Sequence, residues 1–142
     1  MYCSIFFTFV KKILMIEITS EEIRKTIEGA HMVLISTHHK LSLPVIKRMY
    51  KKMVSGIKFD DIKICENLII DGHHRYISSL LAEIEIGRIK TLKSSATKEC
   101  EWKEVDFDEN DWDTHSKIQY LNQKDAEYNQ VDLETINNII SE

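Results

Sequence analysis

Proline and glycine are scarce in this chain, with one proline and four glycines in 142 residues. That scarcity excludes collagen-like, linker-rich and low-complexity material. Cysteine is equally sparse. Cys3, Cys65 and Cys100 lie far apart and form no Cys-x-x-Cys pair, so neither a zinc knuckle nor a redox pair is indicated. Reduced thiols in a cytoplasmic protein are the expectation. The apolar run from Tyr2 to Val10 is too short to cross a bilayer. It also lacks the basic start and small-residue cleavage site of a signal peptide. No membrane span is expected. Neither a Walker loop nor a Gly-x-Gly-x-x-Gly fingerprint is present.

What is present is the composition of a globular domain. The chain is 43% hydrophobic and 30% charged, which suits one folded unit with a real core. The net charge of -4 conceals an asymmetry. Up to Lys98 there are 16 basic and 10 acidic residues; from Glu99 onward there are 3 and 13. A basic body suits phosphate-bearing ligands. The acidic end reads as a solvated face first, and otherwise as an interaction surface for a protein partner or a cover over the basic part.

Taken in order, residues 1–14 read as an apolar extension, and Met15 is a sensible alternative start. Residues 15–107 form the expected domain, and 108–142 its acidic C-terminal helices. Thr19 stands three before Glu22, the capping-box spacing, and Ile23, Ile27 and Ala30 give a helical stripe that Gly29 can end. His31 to Ser36 reads as a buried strand. Thr37-His38-His39-Lys40-Leu41 is a polar loop. Ser42 can then cap a helix in which Pro44 is tolerated and Ile46, Met49, Tyr50 and Met53 mark the core face. Lys47, Arg48, Lys51 and Lys52 fall on its other side, and Gly56 stops it.

Ile62 to Cys65 alternates as a strand, and Glu66-Asn67 turns it back into Leu68 to Ile70 as a hairpin. After Asp71 and Gly72, a helix is expected to bury Ile77, Leu80, Leu81 and Ile84, with Ser78 and Ser79 near its polar side. Arg88 to Leu92 and Trp102 to Phe107 read as strands around a polar loop with Ser94, Ser95 and Thr97. Asp113 and Asp132 can cap two last helices, the first carrying Ile118 and Leu121 and the second burying Leu133, Ile136, Ile139 and Ile140. Trp102, Phe107 and Trp112 read as packing that anchors these helices. The fold class is α+β, a small mixed sheet with flanking helices and a C-terminal helical appendage.

The chemistry gathers at Asp71-Gly72-His73-His74-Arg75, where a strand meets a helix. The first turn of a helix has free N–H groups and attracts anions. Gly72 allows close backbone approach. Arg75 offers a planar fork for two phosphate oxygens, and His73 and His74 add donors near neutral pH. Asp71 suits Mg²⁺ riding on phosphates, or a base for a hydroxyl nucleophile. The structural alternative is that Asp71 caps the helix, Arg75 bridges to a carboxylate and the histidines only pack. A metal shared by His38-His39 and His73-His74 with Asp71 is disfavoured, because neighbouring histidines in an extended loop point apart and no structural zinc spacing is matched. His115 reads as a surface residue.

The hairpin feeding Ile69-Ile70-Asp71-Gly72-His73-His74-Arg75-Tyr76, followed by a Leu/Ala-containing helix, resembles the ParB/sulfiredoxin superfamily. The likeness covers roughly residues 31–98 and extends to the preceding basic helix. It implies a ParB/sulfiredoxin-like core that binds a nucleotide, with Gly72, His73, His74 and Arg75 on its phosphates. It further implies metal or catalysis at Asp71. Sulfiredoxins have a reactive cysteine where His73 stands. Kinase-like members have a glutamate in the loop that here reads Thr37-His38-His39-Lys40. Partition proteins put basic and polar groups there, as His38, His39 and Lys40 do, which makes these three second phosphate contacts.

The leading expectation is therefore Mg²⁺-dependent nucleotide hydrolysis or phosphoryl transfer, with Asp71 and His73 catalytic and Asp71 the metal ligand. The alternatives are a non-catalytic nucleotide- or protein-binding module, and a nuclease using the Lys47 to Lys52 face. The acidic C-terminal third disfavours nucleic acid as a partner.

Overall fold

The computed structural model describes residues 17–31 and 33–142. The apolar run of 1–14, Met15, Cys3 and Met32 lie outside the described residues. The described chain is α+β, with five α-helices around two small sheets.

Helix α1 (Ser20–Gly29) starts as its capping signal requires. The Thr19 hydroxyl accepts from the Glu22 amide at 3.2 Å. Ile23 on its inner face is fully buried. The stretch after α1 differs from the expected strand. Only Ile35 and Ser36 pair, as isolated bridges to Leu68 and Cys100. The physical reason is that side chains take the backbone groups of Leu34. Its N–H donates to the Tyr76 hydroxyl at 2.9 Å, and its carbonyl accepts from Trp102 Nε1 at 2.6 Å.

Strand β1 (Lys40–Ser42) runs straight into helix α2 (Leu43–Val54). Ile46, Tyr50 and Met53 are buried on the expected face. Strands β2 (Ile62–Cys65) and β3 (Leu68–Asp71) form the expected hairpin, with an irregularity at Lys63/Ile64. Helix α3 (His73–Ala82) follows, then β4 (Arg88–Lys90), which pairs parallel to β2 and gives the order β3-β2-β4. A 3-10 turn (Trp102–Glu104) replaces the first half of the expected strand at 102–107. Strand β5 (Asp106–Asp108) supplies the second half and pairs parallel to β1.

Two expectations for α3 are corrected. Ser78 and Ser79 are buried, because α3 lies against α2 and small side chains allow the approach. Their hydroxyls donate inward, Ser78 to the Ile46 carbonyl at 3.1 Å and Ser79 to the Tyr76 carbonyl at 2.7 Å. Ile84 is 42% exposed because the helix ends at Ala82, where Glu83 takes a left-handed cap conformation.

The main core joins Ile23, Leu41, Ile46, Ile62, Ile69 and Ile77. Helices α4 (His115–Asn129) and α5 (Leu133–Ser141) build a second, smaller core in which Ile57 meets Ala126, Ile136 and Ile139. Leu133, expected inside, is 38% exposed at the start of α5. Thr114 caps α4, accepting from the Lys117 amide at 3.2 Å, and Asp113 is used elsewhere. Asp132 holds the N-cap position of α5 without a side-chain bond. Among the described residues no helix is long and apolar enough to cross a membrane.

Candidate functional site

The junction between β3 and α3 is shaped by Gly72. Its φ is +96°, and a Cβ there would lie 2.6 Å from Ile62 Cγ2 and 2.8 Å from Arg75 Nη2. Only glycine fits this conformation in this space without strain. The chain then enters α3 with His73 and His74 turned toward the loop after Ser36.

The two histidines pin that loop. His73 Nε2 accepts from the Thr37 amide at 3.0 Å, and His74 Nε2 accepts from the Ser42 amide at 2.9 Å. Both rings accept through Nε2, so each is neutral with its proton on Nδ1. Burial lowers the His73 pKa to about 3, with His38 and His74 adding to the fall. Burial also lowers His74 to about 4, against the opposing pull of Asp113. His38 stacks on His73 with ring centroids 3.9 Å apart, and His74 meets the Trp112 ring edge-on. Through Nε2, His73 and His74 thus act as acceptors that position the loop backbone. His73 is 2% exposed, and its Nδ1 is a buried donor without a partner among the described residues.

Asp71 and Arg75 face away from this clamp. Arg75 Nη2 lies 3.3 Å from Asp71 Oδ2, and Nη1 donates to the carbonyls of Asp60 and Asp61 at 3.3 Å each. The Asp71 side chain is 63% exposed and that of Arg75 only 18%. Arg75 borders a cavity of about 280 Å³ between α2 and α4. Phe59, Met49 and Leu121 give it apolar walls, and Asn122 contributes a buried Oδ1 with no hydrogen-bond partner among the described residues.

The other expected contacts spread outward. His38, His39 and Lys40 are exposed. His39 Nδ1 is 3.3 Å from the buried Cys100 Sγ, whose thiol pKa burial pushes up. No hydrogen bond or ion pair among the described residues joins His38, His39 or Lys40 to Arg75. The loop is therefore brought onto α3 through His38 and His73, while Arg75 serves a separate cavity. Nor does any group of three or more His, Cys, Asp or Glu among the described residues have the arrangement to hold a metal ion. Asp71 is a lone carboxylate already facing Arg75, so the donor set does not fit a dedicated Mg²⁺ site.

The sequence did not reveal the fate of the basic α2 face. Arg48 binds both carboxylate oxygens of Asp111, with Nη2 at 2.8 Å from Oδ1, and reaches Asp113 at 3.1 Å. Lys52, 4% exposed, meets Asp125 at 2.6 Å. Lys51 reaches the Glu142 carbonyl at 2.6 Å, and Lys47 lies 3.4 Å from Glu17. The Arg48 guanidinium holds the Asp111 carboxyl below its usual range. Asp111, Asp113 and Asp125 therefore cover part of the basic face, while most other acids of the C-terminal third, Glu99, Glu101, Glu104, Glu109, Glu127 and Glu134 among them, are exposed as a solvated face. Arg48 and Lys52 are thus paired within the chain, and Lys47 and Lys51 stay half-buried. The signal was the opposite charge of the two blocks, but the blocks lie 60 to 90 residues apart.

No protein-family model matches this chain, and neither a curated protein nor a solved structure does.

Proposed function

We propose that this chain is a ParB/sulfiredoxin-like module that binds a small phosphate-bearing molecule of the nucleotide class, without turning it over. One observation carries the reading. Arg75 borders the cavity between α2 and α4, and its only carboxylate partner among the described residues is the exposed Asp71. An exposed ion pair is worth little, so an incoming phosphate can replace Asp71 on the guanidinium fork at small cost. The apolar walls suit the flat body of a nucleobase, and Asn122 Oδ1 suits one of its N–H donors. His73 and His74 act on the loop backbone, which leaves them no part in proton transfer. No step runs through Mg²⁺.

The test is thermal stability against a panel of nucleoside mono-, di- and triphosphates, with and without Mg²⁺. A ligand at 100 times its dissociation constant adds about 2.7 kcal/mol to a protein that binds it only when folded. The shift is expected for wild type and lost in Arg75→Ala, with Arg75→Lys as the check that the fold survives. No shift with any member of the panel overturns the binding reading. Product formation with Mg²⁺ overturns its non-catalytic part.

A further inference from the structure

The outer edge of the three-stranded sheet is β4. The Ile62 amide donates to the Gly87 carbonyl at 2.8 Å, and the Thr91 amide donates to the Ile64 carbonyl at 2.8 Å. Gly87, Ile89 and Thr91 therefore turn their backbone groups toward β2. In a parallel ladder the residues between them turn theirs the other way. The N–H and C=O groups of Arg88 and Lys90 accordingly face outward along an open edge, and no β-strand or helix among the described residues pairs with them.

The side chains of this edge are as open as its backbone. All three residues of β4 are exposed, and Ile89 and Leu92 are 51% and 89% exposed. From Arg88 to Lys98 the sequence holds four basic residues and no acidic one. None of these four cations forms an ion pair among the described residues.

We propose that β4 is a docking strand for an extended, acidic peptide segment of a protein partner. Strand addition satisfies the outward amides, and main-chain hydrogen bonds supply the common part of the affinity. Arg88 and Lys90 lie on one face of the strand, two residues apart, so they select acidic side chains at alternate positions of the incoming segment. Ile89 on the opposite face takes an apolar neighbour. A second copy of this chain is the wrong occupant, because its edge carries the same cations and lysine on an edge discourages self-pairing. A nucleic acid would use the cations alone and leave the amides and Ile89 without partners. The proposal is independent of the cavity at Arg75.

The probe is an end-blocked, fluorescently labelled octapeptide of alternating glutamate and valine, titrated against the full chain by anisotropy. Saturable binding is expected, together with slower hydrogen exchange at the amides of Arg88 and Lys90. The double variant Arg88→Glu/Lys90→Glu weakens it by at least about tenfold. An unchanged unfolding temperature shows that this variant is folded. Proline at the centre of the peptide removes a ladder donor and also weakens binding. Four results overturn the proposal. They are no binding at millimolar peptide, no effect of the double variant, equal binding of the proline peptide, and tighter binding of oligothymidylate at the same residues.

Discussion

Along α2, Lys47, Arg48, Lys51 and Lys52 each meet a carboxylate or a carbonyl; along β4 and the turn after it, Arg88, Lys90 and Lys93 meet none among the described residues. Both stretches are basic in sequence, and nothing in their composition separates them. What separates them is the path of a distant acidic segment. Helix α5 packs on α2 and α4 on α5, where Ile136 and Ile139 meet Ile57 and Phe59 just past the end of α2, and Asp125 follows that apolar contact to Lys52. Charge completes the contact, and burial directs it.

The comparison predicts unequal costs for disturbing the two surfaces. The largest effect is expected at Lys52. Removing its partner in Asp125→Ala strands a buried ammonium and costs about 3–5 kcal/mol in denaturant unfolding. Adding Lys52→Met to that variant restores most of the loss, because the stranded charge is then gone. If Asp125→Ala is neutral, the two surfaces are alike and the comparison fails.

Acid comes next. The His73 pKa falls from 6.5 free to about 3 in the fold, so the unfolded chain binds the extra proton. Its contribution to stability is complete above about pH 6.5 and lost progressively as pH falls toward 3. His74, lowered to about 4, acts in the same direction. Between pH 6.5 and 4.5 the loss is about 2 kcal/mol or more, measured by unfolding across a pH series. His73→Asn flattens that slope. The β4 edge holds no acid or histidine, so its variants keep the wild-type slope.

The smallest effect belongs to the edge itself. Arg88→Glu and Lys90→Glu change stability by no more than about 0.5 kcal/mol each, since both are exposed and neither has an ion-pair partner among the described residues to lose. A larger cost would reveal that the edge is covered.

Much of the frame was legible in local signals. Thr19 and Glu22, the hairpin turn at Glu66-Asn67, and the Ile46 face of α2 act within a few residues, and the structure follows them. The misses are long-range. Leu34 looked like a strand residue because its side chain is apolar, but Tyr76 and Trp102 claim its backbone from 42 and 68 residues away. Ser78 and Ser79 looked solvated because hydroxyls usually are, until α2 packs against them. At the candidate site the sequence located the cluster but not its division. His73, His74 and Arg75 are neighbours in the chain, yet two hold a loop and the third faces a cavity. Side-chain direction on the first turn of a helix decides this, and spacing alone does not carry it.

The double histidine clamp has a further consequence for how the chain tolerates change. Thr37 and Ser42 are fastened to adjacent rungs of one helix. The loop between them therefore has fixed ends, whatever its length. Between them the His39 carbonyl accepts from the Asp106 amide at 2.8 Å and Leu41 is fully buried, so an insertion between His39 and Lys40 would have to break the β1–β5 ladder or pull on the clamp. Added length in this stretch would therefore be felt at once by a helix, a sheet and the core.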